Sequence, residues 1–329
     1  MVHHNHRNAL WAAAGILAVV ALAALDLACG SGGFHWPEGV LLWKLRGPRV
    51  VTAILAGAAL AVSGAQMQAV FRNPLADPHI MGVSGGAGLG AALATMGLSA
   101  IGGAVVHGGI HLTALWSGAG IAAAAFAGAA GASLLIIWAS GRVRGTTVLL
   151  LFGVMLGFVF SAISSILQDL ANEESLQLFY SWAAGSYAGN SASGLALMAG
   201  ALAVGTGLAL ANQKGLDLLL FGEEYATLGG APVRHIRTLA MLSTCLMTGA
   251  VTAFCGPVGF VGIIAPHLVR RLSRSARHGV VLPGSLLAGA ALSLAADALS
   301  QCGPVPIPVG STMALIGIPF ILVILFRKP

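Results

Sequence analysis

Charge is what this chain has least of. Only 8% of its residues are charged, against 57% hydrophobic, where an ordinary soluble domain carries roughly 25% charged residues. That scarcity excludes a water-dispersed globule of this length. The four cysteines, Cys29, Cys245, Cys255 and Cys302, show no C-x-x-C spacing, so neither a zinc site nor a dithiol redox motif is supported. No cofactor or metal is expected. A G-x-x-x-x-G-K-[ST] phosphate loop is also absent. The nearest string, Gly141 to Thr147, lacks the lysine that must reach the phosphates, and the run VSGGAGLG at Val83 to Gly90 lacks the dinucleotide pattern. The chain is not expected to hydrolyse ATP by itself.

The ten acidic residues fall mostly in polar stretches, and Asp297 alone is expected well inside an apolar segment. Ion-coupled transporters place ionisable groups within their spans, so a helix-packing or helix-end hydrogen bond is the favoured role for Asp297 over a proton relay. A membrane enzyme would need a nucleophile and base, or a metal constellation. His107 and His111 stand at i and i+4 with no acidic partner nearby, and ordinary loop histidines are the simpler account. A formal charge of +6 could suggest nucleic acid. The basic residues lie scattered between apolar runs, however, and membrane orientation explains them better.

What is present is a succession of apolar segments, each long enough to cross roughly 30 Å of hydrocarbon as a helix. They begin near Ala9, Val50, Gly82, Leu112, Thr147, Ala192, Ile236, Gly259, Leu282 and Ser311, about ten spans in all, with those near Gly82 and Gly259 short or glycine-interrupted. The first, Ala9 to about Cys29, exceeds the apolar length of a cleavable signal and is read as a retained span. With the N-terminus inside, 13 of the 16 Lys and Arg residues fall on the cytoplasmic side, and Lys44, Arg46 and Arg49 fall outside. This positive-inside bias predicts both termini cytoplasmic. Gly82, Gly86 and Gly90, and likewise Gly153 and Gly157, have the small-xxx-small spacing that lets helix backbones approach closely.

Two polar interruptions stand out. Gln213 to His235 is too polar for lipid, has the pattern of short amphipathic helices and lies inside by the charge count, as a docking surface would. Asn172 to Tyr187 is amphipathic and falls outside, where it could cap a vestibule. Arg72-Asn73-Pro74-Leu75-Ala76-Asp77-Pro78 reads as a turn-rich hinge, in which proline ends a helix and Asn and Asp satisfy freed backbone groups.

Several segments together resemble the FecCD-type permeases, the type II ABC importers of siderophores, haem and vitamin B12. They are LRGPRVVTAILAGAALAVSGAQMQAVFRNPLADPHIMGVSGGAGLG (Leu45 to Gly90), LLLFGVMLG (Leu149 to Gly157), LLLFGEEYATLGG (Leu218 to Gly230), GPVGFVGIIAPHLVRRL (Gly256 to Leu272) and PVGSTMALIGIPF (Pro308 to Phe320). The resemblance implies an all-α, polytopic, BtuC-like permease forming a single transmembrane domain over residues 1–329, with residues 213–235 as a coupling segment within it. It implies a homodimer joined by two ABC ATPase subunits and a periplasmic or surface-tethered binding protein, in the bacterial cytoplasmic membrane and its lipid. It assigns ATPase coupling to Gly222, Glu223, Glu224, Ala226 and Leu228, a cytoplasmic gate to Thr146 and Thr147, and binding-protein docking to the external Arg46 and Arg49. Gln301 stands where some relatives carry a third docking arginine. Substrate is expected to be an iron chelate, haem included, ahead of cobalamin. An ion-coupled secondary transporter and a membrane enzyme are the alternatives.

Overall fold

The computed structural model describes residues 2–30, 36, 39–100, 118–143, 145–303 and 305–326. His107 and His111 lie outside the described residues, as does the segment start expected near Leu112. Among the described residues the chain is helical, with no strand. Apolar sequence makes this necessary, because in lipid a backbone can satisfy its polar groups only within a helix or a closed barrel.

Among the described residues ten helices are of 13 residues or more. They are α1 (Val2–Ala28), α2 (Gly47–Val70), α3 (Val83–Ala100), α4 (Gly118–Ser140), α5 (Thr146–Asp169), α7 (Ala192–Ala211), α10 (Val233–Cys255), α11 (Val261–Ser273), α12 (His278–Gln301) and α13 (Val309–Phe326). Between them lie three shorter helices: α6 (Glu173–Ala183), α8 (Gln213–Leu219) and α9 (Glu223–Leu228). Seven of the long helices meet both the length and the hydropathy of a membrane crossing. Helix α11 does not. Its 13 residues rise only about 20 Å at 1.5 Å per residue, so the short segment expected near Gly259 forms a helix shorter than the roughly 30 Å of hydrocarbon.

Helices α2 and α10 form the centre of the bundle, and both are largely buried within the chain. Helix α2 lies between α12 and α10, while α3 packs along α4. Lipid offers no hydrophobic drive for helices to associate, so these contacts depend on backbones coming close. A Cβ on Gly57 would stand 2.2 Å from the Gly289 carbonyl oxygen, and one on Gly289 would stand 2.2 Å from that of Gly57. The spacing read at Gly86 and Gly90 works in the same way: Gly86 abuts Gly128 and Ala132, and Gly90 abuts Ala124. Helix α5 differs from all of these. Only 17% of its apolar window is buried, and Leu151, Met155, Phe158 and Ile166 present an exposed apolar stripe.

Candidate functional site: two polar ends of the bundle

The end that carries α8 and α9 is built around the two motifs singled out in the sequence. After α2 the chain turns through Arg72, which has a left-handed φ of 48°. Asn73 Oδ1 accepts the Leu75 N–H at 2.9 Å, and Asp77 Oδ1 accepts the His79 N–H at 2.8 Å. Pro74 follows Asn73 in the exposed turn. Asp77 caps the 3-10 turn Pro78–Met81, and Pro78 is that turn's first residue. Asn73 and Asp77 thereby satisfy freed backbone N–H groups, as their side-chain chemistry suggests. His79 joins the turn to the rest of the bundle through Ser84 and through the Val258 carbonyl, the latter at 2.7 Å.

Gly222, with φ of 112°, immediately precedes α9, and a Cβ there would stand 3.3 Å from Arg72 Nη1. The hinge and the segment expected to couple are thus neighbours. Within that segment Leu216, Leu219 and Ala226 are buried and seat the two helices on the bundle. Leu218, Phe221, Tyr225 and Leu228 face outward, with Leu228 89% exposed. The rings of Phe221 and Tyr225 lie 5.5 Å apart, so the outward face is apolar and partly aromatic. Glu224 is exposed beside them. The polar stretch Gln213 to His235 spans α8, α9 and the first turn of α10, which begins at Val233.

Two side-chain contacts fasten this segment, through Arg237 and through Asp217. Arg237 of α10 reaches Glu223 of α9 at 3.5 Å and donates to the carbonyls of Ser140 at 2.6 Å and Val143 at 2.8 Å. One guanidinium thereby closes the C-terminal end of α4, where carbonyls lack helical partners. Asp217 of α8 accepts both the backbone N–H and the Nδ1 of His278, each at 2.7 Å. That carboxylate therefore caps the first turn of α12 from another element. Arg270 of α11 hydrogen-bonds Gln68 of α2. None of these pairs is visible in sequence spacing. Thr146 and Thr147 are the first two residues of α5, half-buried and exposed respectively. The N-cap of α5 is Gly145, with φ of 86° and no side-chain cap, so these threonines do not act as its cap.

The opposite end differs from what the sequence suggests. Arg46 and Arg49 were expected as solvent-facing rim charges, yet each is only 7% exposed. Arg49 lies between two carboxylates, 3.2 Å from Asp26 Oδ1 on α1 and 2.8 Å from Asp297 Oδ2 on α12. Burying a charge without a partner is prohibitive, which is why the guanidinium turns inward to two acids that are 0% and 1% exposed. Asp297 also accepts from Ser300, so its role is the helix-packing one. Arg46 donates to the carbonyls of Leu27 at 2.8 Å and Ala28 at 3.3 Å and closes the C-terminus of α1. It needs Gly30 beside it, since a Cβ there would stand 2.2 Å from Arg46 Nη2. Nearby, Asn172 caps α6, its side chain accepting the Ser175 N–H at 2.9 Å. Trp182 donates to the Ala253 carbonyl at 3.2 Å, which fixes α6 against α10. Among the described residues no group of three or more His, Cys, Asp or Glu side chains could hold a metal ion.

A family model, the FecCD transport family, matches residues 8–327. The chain belongs to the FecCD transport family. It is 35% identical over 315 residues to the cobalamin import system permease protein BtuC of Halobacterium salinarum, covering 90% of this chain and 80% of that one. It is 32% identical over 332 residues to the vitamin B12 import system permease protein BtuC of Salmonella newport, covering 98% and 97%. Among solved structures, one described as an inward-facing conformation of a metal-chelate type ABC transporter superposes with a TM-score of 0.82 at 28% identity, over 98% of this chain and all of that one. PsaBC from Streptococcus pneumoniae in complex with Fab shares the fold at a TM-score of 0.53 and 18% identity. The chain is thus an all-α, multi-span membrane transport protein with a permease fold.

Proposed function

We propose that the chain is the permease subunit of an ABC importer in the bacterial cytoplasmic membrane, with α8 and α9 as the surface that engages a separate ATPase. The observation that carries this is the outward apolar face of Leu218, Phe221, Tyr225 and Leu228 on a segment outside the long apolar helices. A large apolar patch rimmed by polar residues marks a protein interface. Its connections suit it to transmit force, since Asp217 joins it to α12, and Glu223 and Arg237 join it to α10 and α4.

In this reading two copies pair with their exposed α5 faces about a shared pathway, and Thr146 and Thr147 gate it at the coupling end. ATP-driven closure of the partner subunits displaces Gly222, Glu223, Glu224, Ala226 and Leu228. The hinge Arg72-Asn73-Pro74 to Asp77-Pro78 follows through the contact of Arg72 with Gly222, and rigid-body tilting gives access to one side at a time. The coupling end and both termini are cytoplasmic, as the positive-inside bias requires. The far end receives the binding protein, with Arg46 and Arg49 holding that face in shape.

Cargo is a bulky metal chelate. The names carried by the relatives put cobalamin first, ahead of the iron chelates and haem favoured by the sequence. The test is affinity between the detergent-solubilised chain and its cognate ATPase subunit. Leu228→Asp is expected to lower that affinity tenfold or more while the chain stays folded, whereas unchanged association would remove α9 from the interface.

A further inference from the structure

The fold brings together two cysteines that the sequence keeps at opposite ends of the chain. Cys29 follows α1 and Cys302 follows α12, and their sulfurs stand 3.8 Å apart in hydrogen-bond contact. Cys29 is buried and Cys302 is exposed. The other two cysteines, Cys245 and Cys255, are buried within α10. The pair lies beside the ionic cluster, because Cys29 is three residues beyond Asp26 and Cys302 five beyond Asp297. The two helices that Arg49 joins by charge are the same two that these thiols could join covalently.

We propose that Cys29 and Cys302 form a disulfide on the outer face of the membrane, a covalent strap between the ends of α1 and α12. Oxidising compartments lie on that side of the cytoplasmic membrane, under the orientation proposed above. The oxidant is a disulfide-bearing partner, either a thiol–disulfide oxidase or an oxidised small thiol. Cys302, the accessible thiol, loses its proton and attacks one sulfur of the partner disulfide, expelling a partner thiolate and leaving a mixed disulfide. Cys29 then loses its proton and attacks the Cys302 sulfur, expelling the second partner thiolate. The two protons pass to the two thiolates, so the chain loses two electrons and the partner gains two. Burial pushes the Cys29 thiol up to about 11, with Cys302 beside it adding to the rise. This assigns first attack to Cys302, and proximity makes the second step intramolecular.

The test is a thiol count on the wild-type chain in membranes, quenched with acid and alkylated under denaturing conditions. Cys245 and Cys255 are expected to alkylate directly, and Cys29 and Cys302 only after reduction, with a Cys29–Cys302 linked peptide that disappears on reduction. Direct alkylation of all four would overturn the proposal. In Cys302→Ser, Cys29 should become directly alkylatable, and a Cys29 still blocked there would mean a different partner and equally overturn it. Reduction should lower the melting temperature of the wild type but not of Cys302→Ser; equal shifts would contradict the strap. A membrane-impermeant maleimide should reach reduced Cys302 in intact cells. Labelling only after permeabilisation would overturn the oxidising-side premise without touching the ATPase-docking surface, which the association assay tests separately.

Discussion

The two ends of this bundle solve the same problem in opposite ways. Each uses an arginine to close the C-terminus of a helix, Arg46 at α1 and Arg237 at α4. At the far end the acids are sealed, Asp26 and Asp297 on either side of Arg49 being 0% and 1% exposed. At the coupling end the side chains of Glu223 and Asp217 are 30% and 33% exposed. A sealed cluster has one good arrangement and resists rearrangement, because separating its charges leaves them unpaired in a medium that cannot solvate them. A half-wet pair can part and re-form at small cost. The far end therefore holds α1, α2 and α12 in place, while under the proposed function the coupling end lets α8 and α9 move with a partner and stay attached.

The sharpest way to break this contrast is Arg49→Ala, which strands Asp26 and Asp297 together. We expect a loss of about 3–5 kcal/mol of stability, read as a large drop in the melting temperature of the purified chain. Adding Asp26→Asn and Asp297→Asn should recover part of it. Arg237→Ala is next. It removes charged hydrogen bonds to the Ser140 and Val143 carbonyls and should cost about 2 kcal/mol, with Glu223 able to turn to water. Asp217→Ala deletes the acceptor at the start of α12 and should cost about 1 kcal/mol, while weakening coupling of ATP hydrolysis to transport. Leu228→Asp is the smallest in stability and the most telling. At 89% exposed it should leave the melting temperature unchanged, yet lower ATPase affinity tenfold or more, the effect of losing roughly 1.4 kcal/mol or more at an interface anchor.

Much of this architecture is legible in the residues themselves. Hydropathy delineates the long spans to within a few residues, as at Ala192 for α7 and Thr147 for α5, which starts at Thr146. Turn chemistry identifies the hinge from Asn73, Pro74, Asp77 and Pro78, because these side chains act on backbone one or two residues away. The amphipathic pattern of α8 and α9 likewise depends on local spacing, and Leu216, Leu219 and Leu228 take the sides it requires.

What sequence could not supply are contacts made across the bundle. Arg49 reads as an external charge because it precedes an apolar run, and only the fold reveals Asp26 and Asp297 converging on it from α1 and α12. The one observable hint is Asp297 inside an apolar segment, with Asp26 near the end of another, each costly there unless paired. Cys29 and Cys302, and Asp217 and His278, are hidden in the same way. The shortness of α11, by contrast, is legible, because His267, Arg270 and Arg271 interrupt the apolar run near Gly259, and Arg274, in a left-handed turn, ends the helix.

The central claim is that this chain carries cargo across the membrane when a separate ATPase acts on α8 and α9. The most direct measurement is uptake into proteoliposomes holding the chain with its cognate ATPase and binding protein, comparing cobalamin, ferric siderophore and haem with and without ATP. The account predicts ATP-dependent accumulation of one of them, cobalamin first, that is lost with Leu228→Asp. Accumulation that proceeds without ATP, or that survives Leu228→Asp undiminished, would contradict it.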